Sequence, residues 1–278
     1  MEVSILVDNN TIIDKYFKGE PGFSVYIKEA DKNILFDLGY SDIFIENAQQ
    51  LNLNLNDIDY LVFSHGHIDH TGGLDPLIKY YFETKEHKRG KIPQIIAHPD
   101  CFANKYYGNN SSIGMNVDKE VVYNLFEVKK SKAPLWLTEK LVYLGEIPRE
   151  NDFEADQPIG YQNEIKAGYE DYMLDDTALA YKAKEGLIII TGCSHAGICN
   201  IVSRAKKVTD VKNVIDIIGG FHLMEPGKEK LEKTKKYLND LNLNQLHACH
   251  CTDLKSKIKL AQIADLQEVG VGMQFKYE

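Results

Sequence analysis

A chain of 278 residues, 44% hydrophobic and 26% charged, has the composition of an ordinary globular protein with enough apolar material for a substantial core. Its net charge of −9 argues against a dedicated nucleic-acid or membrane-surface binder, because a phosphate footprint needs clustered Lys and Arg. The longest apolar runs, such as Leu187-Ile188-Ile189-Ile190, are far short of a membrane span, and no signal peptide is evident before Val3-Ser4-Ile5-Leu6-Val7. Five cysteines, an odd count in a large chain, fit a reducing cytoplasm better than a disulfide framework.

Residues 3–7, 22–27 and 33–37 read as strands, the last two joined by a turn at Glu29-Ala30-Asp31-Lys32-Asn33. Helical periodicity follows through Ile43, Phe44, Ala48 and Leu51. A polar connection over 52–59 leads into the buried-type strand Tyr60-Leu61-Val62-Phe63. Next comes the loop Ser64-His65-Gly66-His67-Ile68-Asp69-His70-Thr71-Gly72-Gly73, and Leu74-Asp75-Pro76-Leu77 opens a helix. Three of the nine histidines and an aspartate thus fall within six positions of a strand-to-helix loop. Imidazole and carboxylate together suit a borderline divalent metal such as zinc, or iron or manganese. His65 and His67, two apart, can reach one ion from the same side, while Asp69 and His70 can serve a second.

The strand Gln94-Ile95-Ile96-Ala97 ends at His98-Pro99-Asp100. From about 101 to 170 the pattern is least regular, with short strands predicted around 121–126 and 141–145 and an acidic, turn-rich run over 149–160. This stretch reads as an excursion within a single domain spanning 1–278, of the kind that shapes a substrate pocket. Alternation returns at Thr177-Ala178-Leu179-Ala180-Tyr181. A buried strand over 187–191 then runs into Gly192-Cys193-Ser194-His195-Ala196-Gly197 and a helix over 198–207. The same grammar recurs twice, where 214–218 leads to Gly219-Gly220-Phe221-His222 and Gln245-Leu246-His247-Ala248-Cys249 leads to His250-Cys251-Thr252. A helix charged on one face is predicted over 228–241 and a last one over 256–269. Four strand ends that each deliver a histidine place one shared site at the edge of a layered sheet. His195 and His250 read as ligands and His222 as a site residue. His98 is a loop residue or a pocket wall, His247 packs behind the ligands, and His87 is a solvated surface residue. Cys193 is either a small buried residue at a strand end or a soft ligand.

His65-x-His67-x-Asp69-His70, after a strand and before a helix, resembles the signature of the metallo-β-lactamase superfamily. Phe36-Asp37-Leu38-Gly39 and the N-terminal strands resemble that superfamily's opening. The resemblance covers essentially the whole chain. It implies an α/β (α+β) fold, a four-layer αββα sandwich with the metal site at one edge between two sheets. Thr191-Gly192-Cys193-Ser194-His195-Ala196-Gly197-Ile198, Gly219-Gly220-Phe221-His222-Leu223, His250-Cys251-Thr252 and Asp176-Thr177-Ala178-Leu179 resemble one branch in particular. That branch comprises metal-dependent hydrolases related to the dihydropterin–ribofuranosylaminobenzene phosphate synthase of methanopterin synthesis. Two departures stand out. Many superfamily hydrolases place a further histidine and a bridging aspartate where this sequence has Gly192-Cys193-Ser194-His195. The branch often carries a histidine before the glycine of the second strand, where this sequence has Glu20-Pro21-Gly22.

The resemblance implies that His65, His67 and His195 surround one metal and that Asp69, His70 and His250 surround another. Zinc is the leading expectation for both divalent ions, with iron or manganese as alternatives. Asp69 orients the nucleophile or relays its proton, and His222 hydrogen-bonds a developing oxyanion or protonates a leaving group. The expected function is a dinuclear metal-dependent hydrolase acting on a small molecule through metal-bound hydroxide. Helix N-termini after Gly72-Gly73 and Gly197 would favour a phosphorylated substrate. Two alternatives carry forward: a condensing enzyme that displaces pyrophosphate from a dihydropterin, and a metal-loaded sensor or redox partner without catalysis. Neither nucleic acid nor a membrane is an expected partner.

Overall fold

The computed structural model describes residues 1–85, 92–108, 111–163 and 168–278, so the reading of His87 lies outside the described residues. Among the described residues, two large sheets stack face to face. The first runs in spatial order Gln274–Lys276, Glu2–Val7, Ser24–Glu29, Lys32–Phe36, Tyr60–Val62, Gln94–Ala97, Val128–Lys130. The second runs His247–Cys249, Val214–Gly220, Leu187–Thr191, Ala178–Lys182, Leu141–Tyr143, Leu135–Trp136.

Because side chains alternate faces along a strand, the apolar residues sort into three layers. Val3, Ile5, Val25, Ile27, Ile34 and Phe36 of the first sheet meet Tyr143, Leu179, Ile188, Ile190 and Ile218 of the second. On the outer face of the first sheet, Leu6, Leu35 and Leu61 pack on Phe44, Ala48, Leu74 and Leu77 of helices Ile43–Gln50 and Leu74–Lys85. On the outer face of the second, Val142, Ala180, Leu187 and Ile189 pack on helices Ile198–Thr209 and Lys228–Asn239 through Ile201, Val202, Ala205 and Leu238. The four-layer αββα sandwich is the result. Truncating a fully buried leucine of these layers, such as Leu35→Ala or Leu61→Ala, would cost about 2–5 kcal/mol.

Topology decides where function can sit. Lys32–Phe36, Tyr60–Val62 and Gln94–Ala97 are mutually parallel neighbours, as are Leu187–Thr191, Val214–Gly220 and His247–Cys249. Parallel neighbours need crossover connections, so the loops leaving their C-terminal ends gather along one edge. There the sheets touch directly: Thr177 N–H donates to the Ser64 carbonyl at 2.9 Å. Gly192 has no room for a side chain, since a Cβ would lie 2.2 Å from Ser64 Oγ.

Three segments differ from the sequence-based expectation. The strand predicted near 121–126 is the helix Lys119–Leu125. Asp118 caps it by accepting from Glu120 N–H at 2.7 Å, and Val122 is its buried contact. The last helix, predicted over 256–269, stops at Leu260 because the chain beyond is drawn into a bridge between Leu266 and Leu246. Gln274–Lys276, not predicted as a strand, pairs with the first strand. Within 101–170, three strands join the two large sheets. A small third sheet runs in the order Tyr169–Glu170, Tyr161–Gln162, Lys105–Tyr107, Ser111–Ser112. Among the described residues no helix is long and apolar enough to cross a membrane.

Candidate metal centre

Asp37, at the end of strand Lys32–Phe36, organises the first half of the site. It is fully buried and left-handed (φ 58°), a conformation Asp tolerates better than most residues. Its Oδ1 accepts the Ser64 N–H at 2.7 Å, and its Oδ2 accepts the Ser64 hydroxyl at 2.6 Å and His70 Nδ1–H at 2.7 Å. With its own proton committed to Asp37, Ser64 Oγ accepts from His65 Nδ1–H at 2.8 Å. His65 and His70 therefore carry their first hydrogen on Nδ1, which leaves Nε2 of each for an ion or a second proton.

The second half is held in the same manner. Asn9 Oδ1 accepts from His250 Nδ1–H at 3.0 Å, and Asp8 Oδ1 accepts the His250 backbone N–H at 2.9 Å. The Ser194 hydroxyl donates to the Gly220 carbonyl (2.6 Å) and accepts from Thr191 Oγ1 (2.9 Å), while Asp176 Oδ2 accepts the Ala196 N–H (2.9 Å). Ser194, His222 and His250 are left-handed as well, at φ 58°, 48° and 48°. Such conformations cost about 1–3 kcal/mol each and persist only where surrounding bonds over-determine them.

The structure brings His65, His67 and His195 together, and Asp69, His70 and His250 together with Cys193. Within each set the donor atoms lie within 4.8 Å of one another. In the second set His70 Nε2 is 3.1 Å from Cys193 Sγ and 3.3 Å from His250 Nε2. Asp69 Oδ2 stands 3.5 Å and 3.4 Å from those two imidazoles. In the first set the three rings meet pairwise with centroids 4.7, 4.7 and 4.9 Å apart. The sets abut where His65 and His70 approach to 4.2 Å between centroids.

The donors fit metal ions. Nε2 of His65, Nε2 of His67 and both ring nitrogens of His195 are buried without a hydrogen-bond partner. An orphaned buried polar atom costs about 1–3 kcal/mol, so several in one ring of histidines call for a common partner. Three imidazoles in one set, and imidazole, carboxylate and thiol in the other, are the nitrogen, oxygen and sulfur ligands that zinc and iron accept.

Electrostatics separates the two sets. Burial drives His65, His67 and His195 down as bases, His67 to about 4, so all three are neutral at pH 7. Burial also disfavours the His70 imidazolium, but the Asp69 and Asp37 carboxylates outweigh it and raise His70 to about 9. Asp69, although partly desolvated, is held well below the usual carboxylate range by His70 and His250. Burial, the Cys251 thiol and Asp69 push the Cys193 thiol up. A cation must thus displace protons from the second set but not from the first. Metal titrations across pH 5.5–9 should show one binding event nearly independent of pH above about 6. A second event, which must release both the His70 and the Cys193 protons, should tighten about a hundredfold per pH unit below about 9, and calorimetry in different buffers counts the protons released. Because the folded His70 is raised above its ordinary 6.5, its proton stabilises the metal-free chain fully below pH 6.5, and that stabilisation is lost as pH rises through about 9.

Both sets form the floor of a cleft of about 530 Å³ walled by Pro21, Tyr40, Ile68, Tyr107, Ile113, Ile159 and Met224. No Lys or Arg lines it among the described residues. His222 also faces the cleft, its ring 4.4 Å from that of His195 and its Nδ1 buried without a partner. A second cavity of about 520 Å³, between Ile78, Tyr81, Phe82 and Leu125, lies away from the donors, and its described lining is mostly apolar. His98 does not line the cleft. It is buried, donates from Nε2 to Glu146 (3.1 Å) and accepts the Asp100 N–H at Nδ1 (3.1 Å), which makes it a turn cap. His247 is bonded to Asp216 (2.8 Å) and packs edge-on against Phe275, behind the site.

A family model described as the metallo-beta-lactamase superfamily matches residues 18–151. A Methanocaldococcus jannaschii protein, 7,8-dihydropterin-6-methyl-4-(beta-D-ribofuranosyl)-aminobenzene-5'-phosphate synthase, is 33% identical over 235 residues, 81% of this chain and 77% of its own. The chain belongs to the metallo-β-lactamase superfamily. An uncharacterized protein of the same organism is 35% identical over 264 residues, 94% of each chain. The crystal structure of a metal-dependent hydrolase of the β-lactamase superfamily matches with a TM-score of 0.83 at 26% identity, over 99% of this chain and 98% of that one. Both departures from the superfamily pattern now have locations. Cys193 stands in one donor set and His195 in the other. Glu20 braces the loop after Asp37, accepting the Tyr40 and Ser41 N–H groups at 2.9 Å each, while Pro21 walls the cleft.

Asp8, Asn9 and Asp175 went unassigned in the sequence, and Asp37 was legible only as part of a motif. Each acts through a backbone or ring N–H rather than through a recognisable spacing. A buried-type strand that ends in an acidic residue, as both Glu2–Val7 and Lys32–Phe36 do, is the one signal that points to Asp8 and Asp37.

Proposed function

We propose that this protein is a dinuclear metal-dependent hydrolase of small molecules. The observation that supports this reading is the pair of buried donor sets on the floor of a cleft sized for a small molecule. His65, His67 and His195 would hold one divalent ion, and Asp69, His70, Cys193 and His250 the other, with zinc foremost and iron or manganese as alternatives. Such ions, when bound, supply water that deprotonates near neutral pH and polarise the electrophile. Asp69, with a side chain 32% exposed and a carboxylate held ionised, orients the attacking water or takes its proton. His222 donates to the developing negative charge or the leaving group. Its backbone N–H is anchored on Cys251 Sγ at 3.3 Å. The apolar walls exclude bulk water and hold the body of the substrate. A phosphate on that substrate meets no Lys or Arg among the described lining residues, so its charge is directed to the metal floor.

A second reading rests on the 33% identity to a synthase. The same residues would then position a dihydropterin for condensation. The discriminating experiment incubates metal-loaded protein with panels of esters, phosphomonoesters and phosphodiesters. In parallel, it receives a dihydropterin pyrophosphate with a ribofuranosylaminobenzene phosphate. Hydrolysis without condensation is the expected result, and condensation without hydrolysis would overturn it in favour of the synthase reading.

A further inference from the structure

Behind the histidine loop lies a charge cluster with no role in the reaction described above. Lys105, in strand Lys105–Tyr107 of the third sheet, is fully buried. Its Nζ donates to Asp171 Oδ2 at 2.7 Å and Asp175 Oδ1 at 2.9 Å, and both carboxylates are fully buried. The other oxygen of Asp175 accepts the backbone N–H of Gly66 at 2.8 Å. Gly66 is the residue between His65 and His67. It is pressed so closely against the Cys101 carbonyl that a Cβ would lie 2.2 Å from it.

Stability does not account for this arrangement. Burying an ammonium and two carboxylates strips all three of their hydration, and apolar replacement of such clusters is often neutral or stabilising. Position accounts for it better. Asp175 is locked by Lys105 on one oxygen and grips the histidine loop with the other. Two more contacts tie the segment that follows this sheet's strand Ser111–Ser112 to the same loop, as Ile68 N–H donates to the Ile113 carbonyl at 2.8 Å and His67 bridges to Gly114. Tyr107 and Ile113, from that sheet and its flank, wall the cleft.

We propose that Lys105 and Asp175 form a buried tether that sets the orientation of His65 and His67 towards their ion and fixes the cleft wall to the same loop. Asp175 is a positioning residue, since it acts through Gly66. The proposal rests on the reading that His65, His67 and His195 hold a cation, and not on which reaction follows.

The test compares Asp171→Asn with Asp175→Asn in the full chain. Each variant leaves Lys105 one ion pair, and only the second alters the acceptor at Gly66. Cobalt(II) titration followed by absorption distinguishes the donor sets, because only the set with Cys193 gives a thiolate-to-cobalt charge-transfer band. Asp171→Asn is expected to titrate like the wild type. Asp175→Asn is expected to lose about 10–100-fold in affinity at the three-histidine set, with the thiolate band unchanged. Equal loss in both variants, or wild-type titration of a folded Asp175→Asn protein, overturns the tether. If Asp175→Asn does not fold, Asp175→Glu, which keeps the charge but moves the oxygen off Gly66, is read by the same two outcomes. Failure of the wild-type three-histidine set to take cobalt overturns the metal reading itself, which separates the two failures.

Discussion

Replacing His67 by alanine is expected to lower turnover on the order of 10³-fold and to remove about one equivalent of bound metal, while leaving the fold intact. The asymmetry follows from what His67 touches. Its Nε2 has no hydrogen-bond partner, so truncation orphans no neighbour. The loop keeps its backbone anchors, from Gly66 to Asp175 and from Ile68 to Ile113. Compared metal-free, the two proteins should therefore differ in melting transition by only a few degrees, the change that about 1 kcal/mol brings to a chain of this size. Steady-state kinetics, metal analysis and circular dichroism on one preparation check all three parts. Survival of activity on every accepted substrate after both this substitution and metal removal would sink the hydrolase reading.

Asp37→Asn should weaken both ions with a single atom changed. Asparagine retains the tolerance for a left-handed backbone, so the effect does not run through main-chain strain. What it loses is acceptor capacity. Asp37 receives three hydrogen bonds, two of them at Oδ2, and an amide nitrogen in that place can receive none. His70 is then driven to the other tautomer, with hydrogen on the Nε2 that should meet the ion. Ser64 loses the acceptor that fixes its hydroxyl for His65. Supporting partners of this kind are worth about 10–100-fold in metal affinity each. Competition against a chelator of known strength should show losses in that range at both sets. Wild-type affinity at either would mean that Asp37 only packs.

The sequence carried the sandwich and its edge well, for identifiable reasons. Runs such as Leu187-Ile188-Ile189-Ile190 have the continuous apolarity of strands buried on both faces, and every parallel strand near the site ends in Gly, Ser, Asp or His. Helix Lys119–Leu125 reads as a strand in the sequence because Val121, Val122 and Tyr123 favour strands by propensity, whereas the Asp118 cap and a single buried Val122 decide in favour of a short helix. Strand ends and loop spacing alone mark His195 and His250 and separate His65 and His67 from Asp69 and His70, while the full grouping into two sets comes from the family resemblance. The supports come from neither. Asp175 lies 109 residues from Gly66 and Asn9 lies 241 from His250, and no local pattern encodes contacts that exist only after both sheets have closed.

Each donor set draws on both halves of the chain. His65 and His67 follow strands of the first sheet while His195 follows one of the second, and Asp69 and His70 likewise face Cys193 and His250. A cation bound in either set would therefore be a removable cross-link between two α–β halves, added to the apolar contact between their sheets and to the few hydrogen bonds that join them at this edge. At a free metal concentration a thousand times its dissociation constant, each such link adds about 4 kcal/mol to the folded state. Cooperativity between the halves then becomes adjustable from outside. A loaded molecule would then be expected to unfold as one unit, and sequestering its metal to loosen the seam that carries both donor sets before it loosens either half.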